Sequence, residues 1–193
     1  MSEPGRPVEI RIGSTPEGAV HVSAAERRLA ATPRQWASLG LVAVAAFAAD
    51  QVTKLAVRST LSLDDSVHVV GPLSIQHVPN SGIAFGLFSR AVPIVIGVTA
   101  VAIVWMLMVF ARSGARHAVL VPAFGLLAGG SLANLLDRLR LGHVTDFIAV
   151  RHWPTFNLAD SFITIGVALL LVALLYSNRP PRPARLGAGA TRS

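Results

Sequence analysis

The distribution of hydrophobic positions is dominated by long unbroken runs, without the short period of an amphipathic helix or a half-buried strand. Four stretches stand out: residues 36–57, apolar as far as Ala49; residues 91–111, with no charge; residues 118–136, also uncharged; and residues 161–176. Each approaches the roughly 20 residues needed to cross a hydrocarbon core. All are too long for buried strands, and helices satisfy their own backbone hydrogen bonds in lipid. Two long polar intervals and a short turn at 112–117 separate them. Residues 58–90 contain alternating runs at 67–70 and 73–78 around Gly71-Pro72, which predict a small hairpin or sheet lying on the membrane. Residues 138–160 form the second, read as a loop with Trp153 and Phe156 suited to the interface.

Composition agrees with this pattern. Of 193 residues, 52% are hydrophobic and 14% charged, against about 25% charged in a typical soluble domain. The absence of cysteine excludes disulfides, thiolate nucleophiles and zinc–thiolate or iron–sulfur sites. The net charge of +7 is explained by topology. Residues 1–35, the turn at 112–117 and the tail after Tyr176 hold 11 of the 17 Lys/Arg and four of the ten acids. The positive excess assigns these segments, and both termini, to the cytoplasm. With no nucleic-acid motif or interleaved aromatics, no nucleic-acid partner is expected. The predicted fold class is therefore an all-α membrane protein: four transmembrane helices with a small extracytoplasmic β element. Residues 36–176 form the four-span domain, residues 1–35 a flexible cytoplasmic extension, and residues 177–193 a disordered basic tail.

A rise of 1.5 Å per residue brings several polar groups to one depth. Asp50 lies about 21 Å above residue 36, and Asn134 and Asp137 lie about 24 and 28 Å above residue 118. Asp160 stands at the outer end of the fourth span, and Lys54 and Arg138 fall at the same level. Ionisable groups at such a boundary usually face the protein interior or a wet cavity. Each also has a plainer role. Asp50 and Lys54 form a favourable i, i+4 pair. Asp137-Arg138 can simply stop the third helix, and Gly129 and Gly130 allow close helix packing. Asp160 reads equally as an N-cap, and Asp146 as a solvated loop acid. The six histidines show no metal-ligand spacing, so no metal site is expected. Spacing does not establish that Asp146 and Asp160 meet. Two carboxylates that do meet share a proton, and such a pair hydrolyses peptides with neither metal nor cysteine. The rival reading is a proton-coupled transporter or channel subunit using the same acids as a relay. A relay should carry its carboxylates along the spans, whereas Asp146 falls in a loop. A structural membrane scaffold is the third reading.

Five blocks occur in order: Asp50-Gln-Val-Thr-Lys54, Asn80-Ser-Gly-Ile-Ala-Phe85, Gly129-Gly-Ser-Leu-Ala-Asn134-Leu-Leu-Asp137-Arg138, Gly142-His-Val-Thr-Asp146-Phe and Phe156-Asn157-Leu-Ala-Asp160-Ser161. On these blocks the chain resembles the lipoprotein signal peptidases, the type II signal peptidases of bacteria, over roughly residues 36–176. The resemblance implies an aspartyl endopeptidase that removes the signal peptide of diacylglyceryl-modified prolipoproteins, cutting just before the lipidated cysteine. It maps the catalytic pair onto Asp146 and Asp160. Asn134, Arg138 and Asn157 fall on positions that shape the site or hold substrate; Asp50, Lys54 and Asn80 fall on positions important for stability or binding. Thr145 and Ile83 depart from the common pattern without touching an ionisable motif residue. The resemblance further implies prolipoprotein and membrane lipid as partners, inhibition by globomycin-type peptides, no cofactor, a monomer, and a site near the outer leaflet of the cytoplasmic membrane, with residues 58–90 as its cradle or lid.

Overall fold

The computed structural model describes residues 30–81, 92–113 and 118–177. Among the described residues, four helices are long and apolar enough to span a bilayer. They are α1 (Pro33–Thr60), α2 (Val92–Ser113), α3 (Leu120–Leu141) and α4 (Leu158–Ser177). A three-stranded antiparallel sheet is built from β1 (Ser66–Val70) and β2 (Leu73–Asn80), between α1 and α2, and β3 (Val144–Val150), between α3 and α4. The class is as expected, mostly helical and membrane-spanning with a small sheet. Most of the N-terminal extension, the C-terminal tail, the turn at 114–117 and residues 82–85 of the second block lie outside the described residues.

The helix limits differ from the hydropathy limits for local reasons. α1 begins three residues before the apolar run because Thr32 caps it. The Thr32 hydroxyl accepts from Gln35 N–H at 3.3 Å, and Gln35 Oε1 accepts from Thr32 N–H at 2.8 Å, with Pro33 in the first turn. At its other end α1 continues to Thr60, so Arg58 belongs to the helix and not to the following loop. α3 likewise passes Asp137-Arg138, which do not stop it. It ends at Gly142, whose left-handed φ of 75° and N–H bond to Arg138 O (3.1 Å) close the helix.

β3 corrects the reading of residues 138–160 as a loop. It pairs with β2 in the register Leu73↔Val150, Val78↔Asp146 and Asn80↔Val144. Val144, Thr145, Asp146 and Phe147 are all buried, so both faces of the strand are covered and no alternation marks it in the sequence. Beyond β3 the chain turns back, with His152 at a left-handed φ of 68°. Phe156 then exchanges backbone hydrogen bonds with Ile148, at 2.7 and 3.1 Å, which delivers Asn157 and the start of α4 to the strand.

α3 is the hub of the bundle. A Cβ on Gly129 would collide with the carbonyl of Ala43 on α1, and one on Gly130 would lie 2.6 Å from the carbonyl of Ala159 on α4. The two glycines thus let three helix backbones approach closely, the usual means of association in lipid. At the end away from the sheet, Phe110 of α2 packs edge-on against Trp36 and Phe124, with centroids 5.0 and 5.4 Å apart.

Candidate active site

Polar residues from α1, α3, β2, β3 and α4 converge where the helices meet the sheet. The centre of the cluster is Lys54, which is fully buried. Its ammonium has three protons and three acceptors: Asp50 Oδ2 at 2.7 Å, Asn134 Oδ1 at 2.8 Å and Asp137 Oδ2 at 3.0 Å. Asp50 therefore has a role beyond the helix-surface ion pair that its spacing suggests. Its second oxygen accepts from Ala159 N–H at 2.8 Å, putting a carboxylate at the positive N-terminus of α4. Asp137 accepts from Thr145 N–H (3.3 Å) and Gln51 Nε2 (3.1 Å), so it ties α3 to β3.

This buried scaffold orients the residues above it. Because Asn134 gives its oxygen to Lys54, its Nδ2 is directed to Asp160 Oδ1 at 2.8 Å. Asn157, rather than Asp160, is the N-cap of α4. Its Oδ1 accepts from Asp160 N–H (2.9 Å), and its own N–H is 3.3 Å from Asp160 Oδ2, so Asp160 occupies the third helical position of a reciprocal cap. Asn157 Nδ2 meanwhile donates to Asp146 Oδ1 at 2.7 Å. Asn80 Nδ2 donates to the other oxygen, Oδ2, at 2.9 Å. Asn80 reaches it as the diagonal neighbour of Asp146 across the β2–β3 ladder. Asn157 thus contacts both carboxylates, that of Asp146 through its side-chain amide and that of Asp160 through its backbone N–H.

Asp146 is only 1% exposed and is not a solvated loop acid. Burial pushes its carboxyl up to about 6, and the charge of Asp160 acts in the same direction. The amide donors of Asn80 and Asn157 and the Lys54 ammonium oppose the shift. Asp160 is half-buried and opens onto an apolar cleft of about 410 Å³ lined by Trp153, Phe156, Ser161, Thr164 and Ile165. Arg138 donates to Asn134 O at 3.3 Å and lies within electrostatic reach of Asp160, Asp146 and Asp137.

Arg58 and Gln51 also belong to this network and were not among the candidates. Arg58 donates to Thr145 Oγ1 at 3.0 Å and stands 3.9 Å from Asp137. Thr145, a departure from the motif, is completely buried beside Asp146. The signal for Arg58 was its place at i+4 from Lys54, one turn further along the face that carries Asp50. Among the described residues every buried side-chain nitrogen and oxygen has a hydrogen-bond partner, as a low-dielectric polar network requires.

Fold and site together define a multi-pass membrane protein with a buried polar cluster where its helices meet the sheet. A sequence profile described as signal peptidase (SPase) II matches residues 42–176. A lipoprotein signal peptidase of Moorella thermoacetica is 37% identical over 136 residues, which span 70% of this chain and 91% of that protein. One from Pelotomaculum thermopropionicum is 42% identical over 127 residues, covering 65% and 84%. A solved structure described as a bacterial membrane enzyme, obtained by the in meso method at 2.3 Å resolution, superposes with a TM-score of 0.69 at 32% identity. That match covers 74% of this chain and 92% of the other. The chain belongs to the signal peptidase II family.

Proposed function

We propose that the protein is an aspartyl endopeptidase that removes the signal peptide from diacylglyceryl-modified prolipoproteins, cutting just before the lipidated cysteine. The observation that carries this reading is the pairing of Asp146 and Asp160 through Asn157, at the edge of an apolar cleft. Each carboxylate receives two N–H donors, and in the proposed reaction one of the two carries a proton while the other is ionised. The ionised member takes a proton from water as the water adds to the scissile carbonyl. The protonated member donates to the carbonyl oxygen. Collapse of the tetrahedral adduct breaks the C–N bond, and a proton passes to the cysteine nitrogen as it leaves. Asn134, Asn157 and Asn80 hold the carboxylates, Arg138 supplies positive potential, and the cleft beside Asp160 receives apolar substrate. No cofactor enters these steps.

In this reading both termini are cytoplasmic and the sheet lies outside. The dyad then stands at the outer leaflet, where a signal helix and its diacylglycerol are held by the bilayer itself. Globomycin-type peptides inhibit by occupying the same site, and one chain suffices for activity. The test is cleavage of a diacylated prolipoprotein by purified wild type, Asp146→Asn and Asp160→Asn in detergent. Both variants should lose at least about 10²- to 10⁴-fold in rate while remaining folded. Wild-type cleavage by either variant removes that aspartate from the mechanism.

A further inference from the structure

A second cleft, of about 500 Å³, lies between α1 and α3 at the sheet-bearing end and shares no residue with the cleft beside Asp160. Its walls are of two kinds. Val52, Leu55 and Leu141 are 64%, 61% and 43% exposed, an apolar flank turned toward lipid. Arg58 and Arg140 line the same cleft from the last turns of their helices. The one acid in the lining, Asp137, is paired with Lys54 at 3.0 Å and stands 3.9 Å from Arg58. Arg140 has no ion-pair partner among the described residues. The guanidinium of Arg58 has five N–H donors, and its Nη1 serves Thr145. The cleft therefore offers the unpaired guanidinium of Arg140 and the remaining donors of Arg58 above a strip of exposed aliphatic side chains, with about 9 Å of helix between Val52 and Arg58.

We propose that this cleft is a binding site for an anionic phospholipid, its phosphate held by Arg58 and Arg140 and an acyl chain lying along Val52 and Leu55. Both guanidiniums line the same cleft, and a guanidinium–phosphate contact is of the strong, charge-assisted type. A neutral diacylglycerol chain would leave Arg140 unmatched, and a zwitterionic headgroup would bring a second cation to the two arginines. The site is distinct from the proposed catalytic pair and does not depend on its activity. Through Arg58 it touches Thr145, so the bound lipid would brace the strand that carries Asp146.

The test uses the full chain in detergent, with phosphatidylglycerol or phosphatidylcholine added in mixed micelles, native mass spectrometry to count retained lipid and a thermal melt for stability. Wild type should retain phosphatidylglycerol at least tenfold more tightly than phosphatidylcholine, and only the former should raise the melting temperature by several degrees. Arg140→Gln, at an exposed position, should cut that preference below threefold, and Val52→Trp, which fills the groove, should abolish retention. Equal retention of both lipids by wild type overturns the proposal, as does an unchanged preference in Arg140→Gln. A melting shift reproduced by inorganic phosphate alone also overturns it, because a simple anion site needs no acyl groove.

Discussion

The second and third helices show how a bilayer reverses the burial rule of soluble proteins. α2 is the more apolar of the two, with a mean hydropathy of 2.7 against 1.4 for α3. Yet 11% of its spanning window is buried within the protein, and half of that of α3. Ile94, Val98, Val101 and Trp105 of α2 face outward, whereas Asn134 and Asp137 of α3 are almost completely buried. Lipid solvates leucine and valine as well as a protein core does, so it gives apolar residues no reason to turn inward. It solvates carboxylates and amides very badly, so these must find one another. Polar contacts are therefore concentrated on α3 and its junctions with α1, β3 and α4, and substitutions of equal size should differ sharply between the two helices.

The largest effect is expected where the polar network is cut. Lys54→Met leaves Asp50 and Asp137 buried beside each other without their cation, a loss of about 3–5 kcal/mol. The variant should be recovered poorly and melt far below wild type in detergent. Asn134→Ala tests the same network from the other side, because it frees one proton of Lys54 and one oxygen of Asp160. It should keep most of the stability lost in Lys54→Met yet cleave substrate at least about tenfold more slowly, as expected when an orienting group is removed. Wild-type stability in Lys54→Met would refute the view that α3 is held mainly by polar contacts.

A pH series separates buried charge from buried hydrocarbon. The Asp146 carboxyl sits at about 6 in the folded protein, against an ordinary value of 3.8. Folding thus favours its neutral form. Below about pH 4 the group is protonated in both states and costs nothing; through pH 4 to 6 the unfolded chain ionises first, and stability falls. The full penalty, reached above pH 6, is about 3 kcal/mol at most. Melting curves should therefore show wild type losing stability as pH rises through this window, with a flatter profile for Asp146→Asn. Asn80→Ala, which removes a donor that holds the value down, should shift the upper edge of the window to higher pH. A slope that survives unchanged in Asp146→Asn would have to come from another group.

Lipid also decides which features could be read from the sequence. The spans were legible because nothing but length and apolarity is required of them. The common depth of Asp50, Lys54, Asn134 and Asp137 was legible because a helix converts residue number into depth at a constant rise. β3 was not legible. A strand covered on both faces shows no period of two, and an acid among apolar residues looks like a loop. The true cap of α4 was misread for a related reason. Asn157 and Asp160 are both good cap residues three positions apart, and only the backbone return at Phe156 decides between them. Arg58 was lost to a boundary: hydropathy ends the span before the helix itself ends, and a charged last turn resembles the start of a loop.

Close packing gives a smaller effect that can be compared directly. Gly130→Ala places a methyl carbon against the Ala159 carbonyl, at 2.6 Å from its oxygen, and against Ile163 Cγ1 at 3.0 Å. Relief requires α4 to move away from α3, at a cost of about 1–3 kcal/mol. Since Ala159 precedes Asp160, one member of the proposed catalytic pair, the shift should be felt in cleavage as well, where a displacement near 1 Å is enough for about a 10²-fold loss. Thermal melts and initial rates on one preparation would report both. A stable variant with wild-type rates would mean that α3 and α4 are not in fixed contact at this glycine.

The smallest effect tests the other half of the comparison with the same chemical change. Gly97 lies in α2, and a Cβ added there meets no atom within 4 Å. Gly97→Ala should therefore cost nothing in packing, and it reduces the freedom of the unfolded backbone, a gain of about 0.4–1 kcal/mol where the helix accommodates alanine. The expected outcome is an unchanged or slightly higher melting temperature and unchanged cleavage. A clear loss in either measurement would show that Gly97 packs against a surface in the membrane, and α2 would then need to be regarded as an interaction helix. With no loss, α2 is a lipid-facing helix, tethered to the bundle near Phe110 and tolerant along most of its length, while α3 tolerates little because three neighbours meet on it.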